Sequence, residues 1–177
     1  MWSTAILEIE PNLETGEAEI VWEWHLWDHL IQDIGNNYDA FYGQISDHPE
    51  LMDINCGNVG SNGGPAGNAN GDWMHFNAID YNSYLDQIAL SSRFQNEIYI
   101  IDHSTTTQEA ASHSGGNSGK GGDFLYRWGN PQNYDRGNNS YQILEGQHGV
   151  NWIEQGYPGE GNLLIYNNQH SNNSSAV

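Results

Sequence analysis

Short apolar runs alternate along the whole chain with stretches rich in Gly, Asn and Asp. Runs at 4–10, 19–24, 75–81, 87–92, 97–102, 124–128, 150–154 and 162–167 are rich in β-branched and aromatic side chains and bounded by turn residues. That pattern predicts strands. Only 27–34 carries an apolar spacing that predicts a helix, and a brief one.

The runs repeat in kind. "AILEIEP" then "AEIVWEWH" parallels "EIYIIDHS" then "DFLYRWGN": an Ile-rich strand precedes one that reaches a Trp. "HFNAIDYN…DQIALSS" parallels "QHGVNWIEQ…GNLLIYNN": a His opens two strands joined by a turn. The order is c–d, a–b–c–d, a–b. A four-stranded unit repeated in sequence predicts an all-β chain forming a partial β-propeller of about two blades. A small β-sandwich is the competing architecture. Two blades cannot close a ring, and each blade buries its faces against its neighbours, so an incomplete propeller is expected. The expected domain spans 1–170, with a polar tail at 171–177. Long loops at 55–71 and 104–122 interrupt the repeat. The second contains "GGNSGKGGD", which lacks the spacing of a nucleotide-binding P-loop and has no predicted helix after Lys120.

Composition narrows the function. Seven Trp and ten Tyr supply a core. Four Lys and Arg stand against 23 Asp and Glu, a formal charge of −19. Phosphate-bearing partners would be repelled, so neither nucleic acid nor an anionic membrane surface is expected. The bland reading of the charge is solubility in a salty or extracellular setting. Its corollary is sharper: Arg93, Lys120, Arg127 and Arg136 are the only fixed cations, so an anion site must use one of them, a His, or backbone N–H groups. The single cysteine, Cys56, excludes an internal disulfide and a thiolate cluster. No leader segment is visible after Met1 and no run reaches transmembrane length, so any export signal is expected upstream.

The chemistry concentrates at strand ends. His75 and Asn77 open one a-strand and, by strand alternation, are expected on one side. Arg93 ends the following b-strand, so hairpin pairing brings it back towards them. His148 opens the equivalent strand of the next unit. Two imidazoles, an amide and a guanidinium suit a tetrahedral oxyanion such as sulfate or phosphate. A neutral His could then take the transferred group on nitrogen. Against this stand ordinary structural roles: a satisfied strand His, or Arg93 paired with a carboxylate. On a helix His25 and His29 would share a face beside Asp28, a weak metal-ligating pattern from which no metal site is assigned. No G-x-S-x-G supports a serine triad.

These residues sit in a chain that resembles the bacterial aryl-sulfate sulfotransferase family. The likeness is carried by "AILEIEP", "VWEWHLWDHLIQD", "DHPELMDIN", "DWMHFNAIDYN", "LDQIALSSR", "EIYIIDHSTTTQEAA", "GGNSGKGGDFLYRWGNPQNYDRG" and "GNLLIYNN", and runs over residues 2–168. It implies a six-bladed propeller, usually exported to the periplasm or outside the cell. It also implies sulfuryl transfer from an aryl sulfate to a phenol, without the nucleotide donor PAPS or another cofactor. By that resemblance His148 in "QH" is the nucleophile that becomes a sulfo-histidine. His75 and Asn77 in H-x-N bind the sulfuryl oxygens, and Arg93 in "SSR" neutralises their charge. His75 is the expected acid for the leaving phenolate. The family's site also takes a His from an earlier blade whose segment is absent here, and the chain is expected to cover under half of a full member and to be inactive alone. The alternative is a non-catalytic propeller used as a binding platform.

Overall fold

The computed structural model describes residues 4–57, 71–170 and 174–176. Strands form where the apolar runs stand. β1 (Ala5–Pro11) and β2 (Ala18–His25) make an antiparallel hairpin. Its turn is set by Asn12, whose Oδ1 accepts from the N–H groups of Glu14 and Thr15 at 3.0 and 3.1 Å. A meander of β5 (Phe76–Asn82), β6 (Gln87–Ser92), β7 (Glu97–Asp102) and β8 (Tyr126–Trp128) follows later in the chain. Its four strands pair antiparallel in sequence order. β9 (His148–Trp152) and β10 (Leu163–His170) form the last hairpin. All eight expected strands are therefore present, paired as one hairpin, one four-stranded meander and a second hairpin to which a further strand is added.

β6 and β7 are covered on both faces, as their near-continuous apolar sequences require. One face presents Ile88, Leu90, Tyr99 and Ile101 to Trp22 and Trp24 of β2, with Met52, Trp73 and Phe124 filling between them. The other presents Ala89 and Ile98 to Leu144 and Val150. The four-stranded sheet is thus the middle layer. The architecture is all-β in its sheets, with one four-residue α-helix and several short 3₁₀ turns among the described residues. None of the described sheets closes on itself. No helix among the described residues is long and apolar enough to cross a membrane.

Three features depart from expectation. The helix expected at 27–34 is a 3₁₀ turn, Leu26–His29, followed by β3 (Leu30–Ile31), which pairs parallel with β4 (Met52–Asp53). Leu30, Ile31 and His29 are all buried, and one turn is too short to hold an α-helix without such tertiary support. The expected loop at 104–122 contains α1 (Thr107–Ala110), opened by a reciprocal Thr106–Glu109 capping box. After Lys120 the chain leads into β8 and not into a helix, in keeping with the exclusion of a P-loop. β11 (Ser174–Ala176), within the expected tail, pairs with β10. Residues 58–70 of the expected loop at 55–71 lie outside the described residues.

Candidate active site

His75 stands one residue before β5 with a left-handed backbone, φ +48°. That conformation is uncommon for a residue with a side chain. Asp72 holds it twice: one carboxylate oxygen accepts the His75 N–H at 3.1 Å, and the other meets Nδ1. An acceptor-only carboxylate on Nδ1 places a proton there and orients the ring. The imidazole lies against Phe94, 4.5 Å between ring centroids. The Arg93 guanidinium sits 5.2 Å from the centre of that same ring. The Arg93 N–H also donates to the His75 carbonyl at 3.2 Å, so the hairpin brings these two residues together as expected. Arg93 makes no ion pair among the described residues.

Asn77 occupies a bulge. Phe76 pairs with Ser92 and Ala78 with Ser91, which leaves Asn77 without a cross-strand partner. Simple alternation therefore does not govern 75–77. His75 and Asn77 nevertheless both line an open cleft of about 580 Å³, with Asp72 and Phe76 beside them and Thr4, Ala5 and Ile6 across from them. Arg93 and His148 are not among its walls. Asn77 reaches the last hairpin instead, its Nδ2 donating to the Gln147 carbonyl at 2.8 Å. Its buried Oδ1 has no hydrogen-bond partner among the described residues.

His148 begins β9, half-buried. Its Nδ1 lies 2.9 Å from the Gly146 carbonyl and 3.1 Å from the Asn168 amide. The Gly146 carbonyl only accepts, whereas Asn168 Nδ2 donates, so the two contacts favour opposite tautomers; in the one that bonds Gly146, Nδ1 carries the proton and Nε2 the lone pair. The preceding residue fixes this strand: Gln147 is fully buried, and its Nε2 donates to the carbonyls of Ser92 and Glu97 at 2.8 and 3.0 Å. Gln147 thus fastens β9 to the same hairpin end that carries Arg93.

Sequence reasoning missed Asp72, Phe94 and Gln147 as supports. The D-x-x-H spacing of Asp72 and His75 was a usable signal, whereas Gln147 acts through long-range contacts that no local pattern encodes. Cys56 is no competing nucleophile: burial, and then the charge of Asp53, push its thiol far above its usual range. The His25–His29 pair separates, with His25 Nε2 on Glu23 at 3.1 Å and His29 turned into the interior. There His29 meets His113 and Asp123, whose ligand atoms and its own lie within 4.8 Å of one another.

The family model for arylsulfotransferase (ASST) matches residues 5–176. No curated protein and no solved structure matches the chain.

Proposed function

Because the chain belongs to the arylsulfotransferase family, we propose that the protein carrying it transfers a sulfuryl group from an aryl sulfate to a phenol through a sulfo-histidine at His148, with no PAPS and no other cofactor. In this reading residues 1–170 are about two blades of a larger propeller outside the cytoplasm, with β5–β8 as the complete blade. The observation that supports it is the 2.9 Å contact of His148 Nδ1 with the Gly146 carbonyl, which in the Nδ1–H tautomer leaves Nε2 as the nucleophile.

His148 Nε2 attacks sulfur. The N–S bond forms as the bond from sulfur to the aryl oxygen breaks, and the electron pair leaves on the phenolate. His75 gives that oxygen its proton, and Asp72 orients the ring through its contact with Nδ1. In the second half His75 takes the proton of the acceptor phenol, whose oxygen attacks sulfur and returns the electron pair to Nε2. Arg93, free of carboxylate partners among the described residues, neutralises the sulfuryl oxygens. Asn77 fixes the chain at Gln147 and offers its second amide proton to the same oxygens.

The test uses the full-length protein and para-nitrophenyl sulfate, with and without a second phenol. Acceptor-dependent nitrophenol release should fall by about 10³-fold or more in His148→Ala. His75→Gln should lose one limb of the pH–rate profile. Release that survives in His148→Ala overturns the assignment of the nucleophile. A folded wild type inactive on varied donors makes the binding platform the better reading.

A further inference from the structure

We infer that His29, His113 and Asp123 form a binding site for a divalent ion of the zinc class, which sulfuryl transfer does not require. The three residues come from separate places: the turn after β2, the loop after α1, and the approach to β8. The geometry of His29 carries the argument. Its ring is fully buried and stacked on Trp24, 5.5 Å between centroids and 4° from parallel. Nε2 lies 2.8 Å from the Ala110 carbonyl. That carbonyl can only accept, so Nε2 carries a proton, which leaves Nδ1 as the atom able to ligate an ion. Nδ1 in turn faces Asp123 Oδ1 at 2.7 Å, a second acceptor. A proton or a metal cation must therefore stand between the two atoms. His113 Nδ1 approaches the same carboxylate oxygen at 2.8 Å and adds a third donor atom.

A ligating His that gives its other ring N–H to a backbone carbonyl is the usual second-sphere arrangement of a metal site. Two imidazoles and one carboxylate favour zinc-class ions over calcium or magnesium. Tetrahedral zinc at about 2.0–2.1 Å from each ligand separates ligand atoms by about 3.3 Å, so the pairs must open by about half an ångström. His113 can open its own pair, its side chain being 43% exposed and its ring at 84° to that of His29, whereas the buried His29–Asp123 pair opens by rotation of the Asp123 carboxylate. The exposed side also leaves a position for water. Bound there, the ion would join the turn after β2 to the loop that follows α1, and binding only the folded chain it would stabilise it.

The experiment takes the chain stripped with chelator and titrates it with zinc chloride by calorimetry, with melting temperature as a second readout. The wild type should show a single saturable site and a raised melting temperature, both reversed by chelator. His113→Ala removes a half-exposed loop ligand, and Asp123→Asn keeps the shape of the side chain. Both should lose saturable uptake while retaining the far-UV spectrum. His103→Ala, which dismantles a separate cluster with Asp86 and Glu8, should keep the site. Absence of saturable uptake in the wild type, or uptake that persists in both His113→Ala and Asp123→Asn, overturns the inference. Neither readout depends on transfer activity.

Discussion

Four fixed cations serve a chain of formal charge −19, and what each touches separates structure from chemistry. Arg127 is consumed by the core. Its Nε and Nη2 grip the two oxygens of Glu97 at 3.0 and 2.5 Å, and Nη1 donates to the Leu51 carbonyl at 2.9 Å. Tyr99 and Asn133 complete the Glu97 carboxylate, each donating at 2.9 Å. Burial is the largest effect and works against the Arg127 charge, but Glu97, Tyr99 and Cys56 together outweigh it and hold the guanidinium above its ordinary value. Breaking one side of a buried pair leaves the other charge uncompensated. Arg127→Met should therefore lower the unfolding free energy by about 3–5 kcal/mol in urea titration, and adding Glu97→Gln should restore part of it. A double variant no better than the single one would show that packing, not charge, sets the cost. Arg136 is also committed, its Nε donating to the Ser46 carbonyl at 2.7 Å. The sequence could show that any anion site had few cations to draw on. It could not show that Arg93, alone of the arginines, is neither paired with a carboxylate nor used to hold a distant carbonyl among the described residues.

At the scale of elements, strands were legible because their local preferences and their burial agree. Gln87–Ser92 and Glu97–Asp102 begin and end where their residue types say they should. The short segments were not, because each depends on something distant. Leu30–Ile31 is a strand only because Met52–Asp53 lies beside it, and the bulge at Asn77 is a matter of register with β6. The helical turn α1 is different: Thr106 with Glu109 three residues later is a capping box readable in the sequence. The loop it opens is organised by Asp102. Its Oδ1 accepts from the Ser104 N–H and hydroxyl at 2.9 and 2.5 Å, and Oδ2 from the Ser118 N–H at 2.8 Å. Burial raises the carboxyl's pKa, but these hydrogen bonds together outweigh burial and hold it below the usual 3.8. A depressed folded value means the stabilisation is present above the unfolded value and is lost as pH falls through the folded one. Hydrogen exchange should therefore show the Ser118 amide losing protection in acid, below the ordinary Asp range. Asp102→Asn should show much of that loss already at neutral pH. Equal protection in both proteins at both pH values would remove Asp102 as the organiser of this loop.

At the scale of the molecule, the layers are unevenly covered. The central strands β6 and β7 are buried on both faces, whereas the outer half of the β1–β2 hairpin is bare. Ile9 and Ile20 pair across that hairpin, each 57% exposed, and Leu7 and Val21 beside them are about as open. A cluster of aliphatic side chains on a two-stranded ribbon is what a neighbouring layer ordinarily buries, and the propeller reading supplies one in the form of another blade. The chain alone should then seek a substitute and self-associate through this face. Its charge opposes that at low ionic strength, and salt screens the repulsion. Sedimentation velocity should show association rising with both concentration and salt. Ile9→Thr with Ile20→Thr should suppress it while changing the unfolding free energy by no more than about 0.5 kcal/mol, since Thr suits a strand and little burial is lost. If the double variant associates as the wild type does, another surface is responsible and the bare hairpin gives no support to a covering blade. If it stays monomeric with unchanged stability, the face exists for a contact that the described residues do not make among themselves, as an unclosed propeller requires.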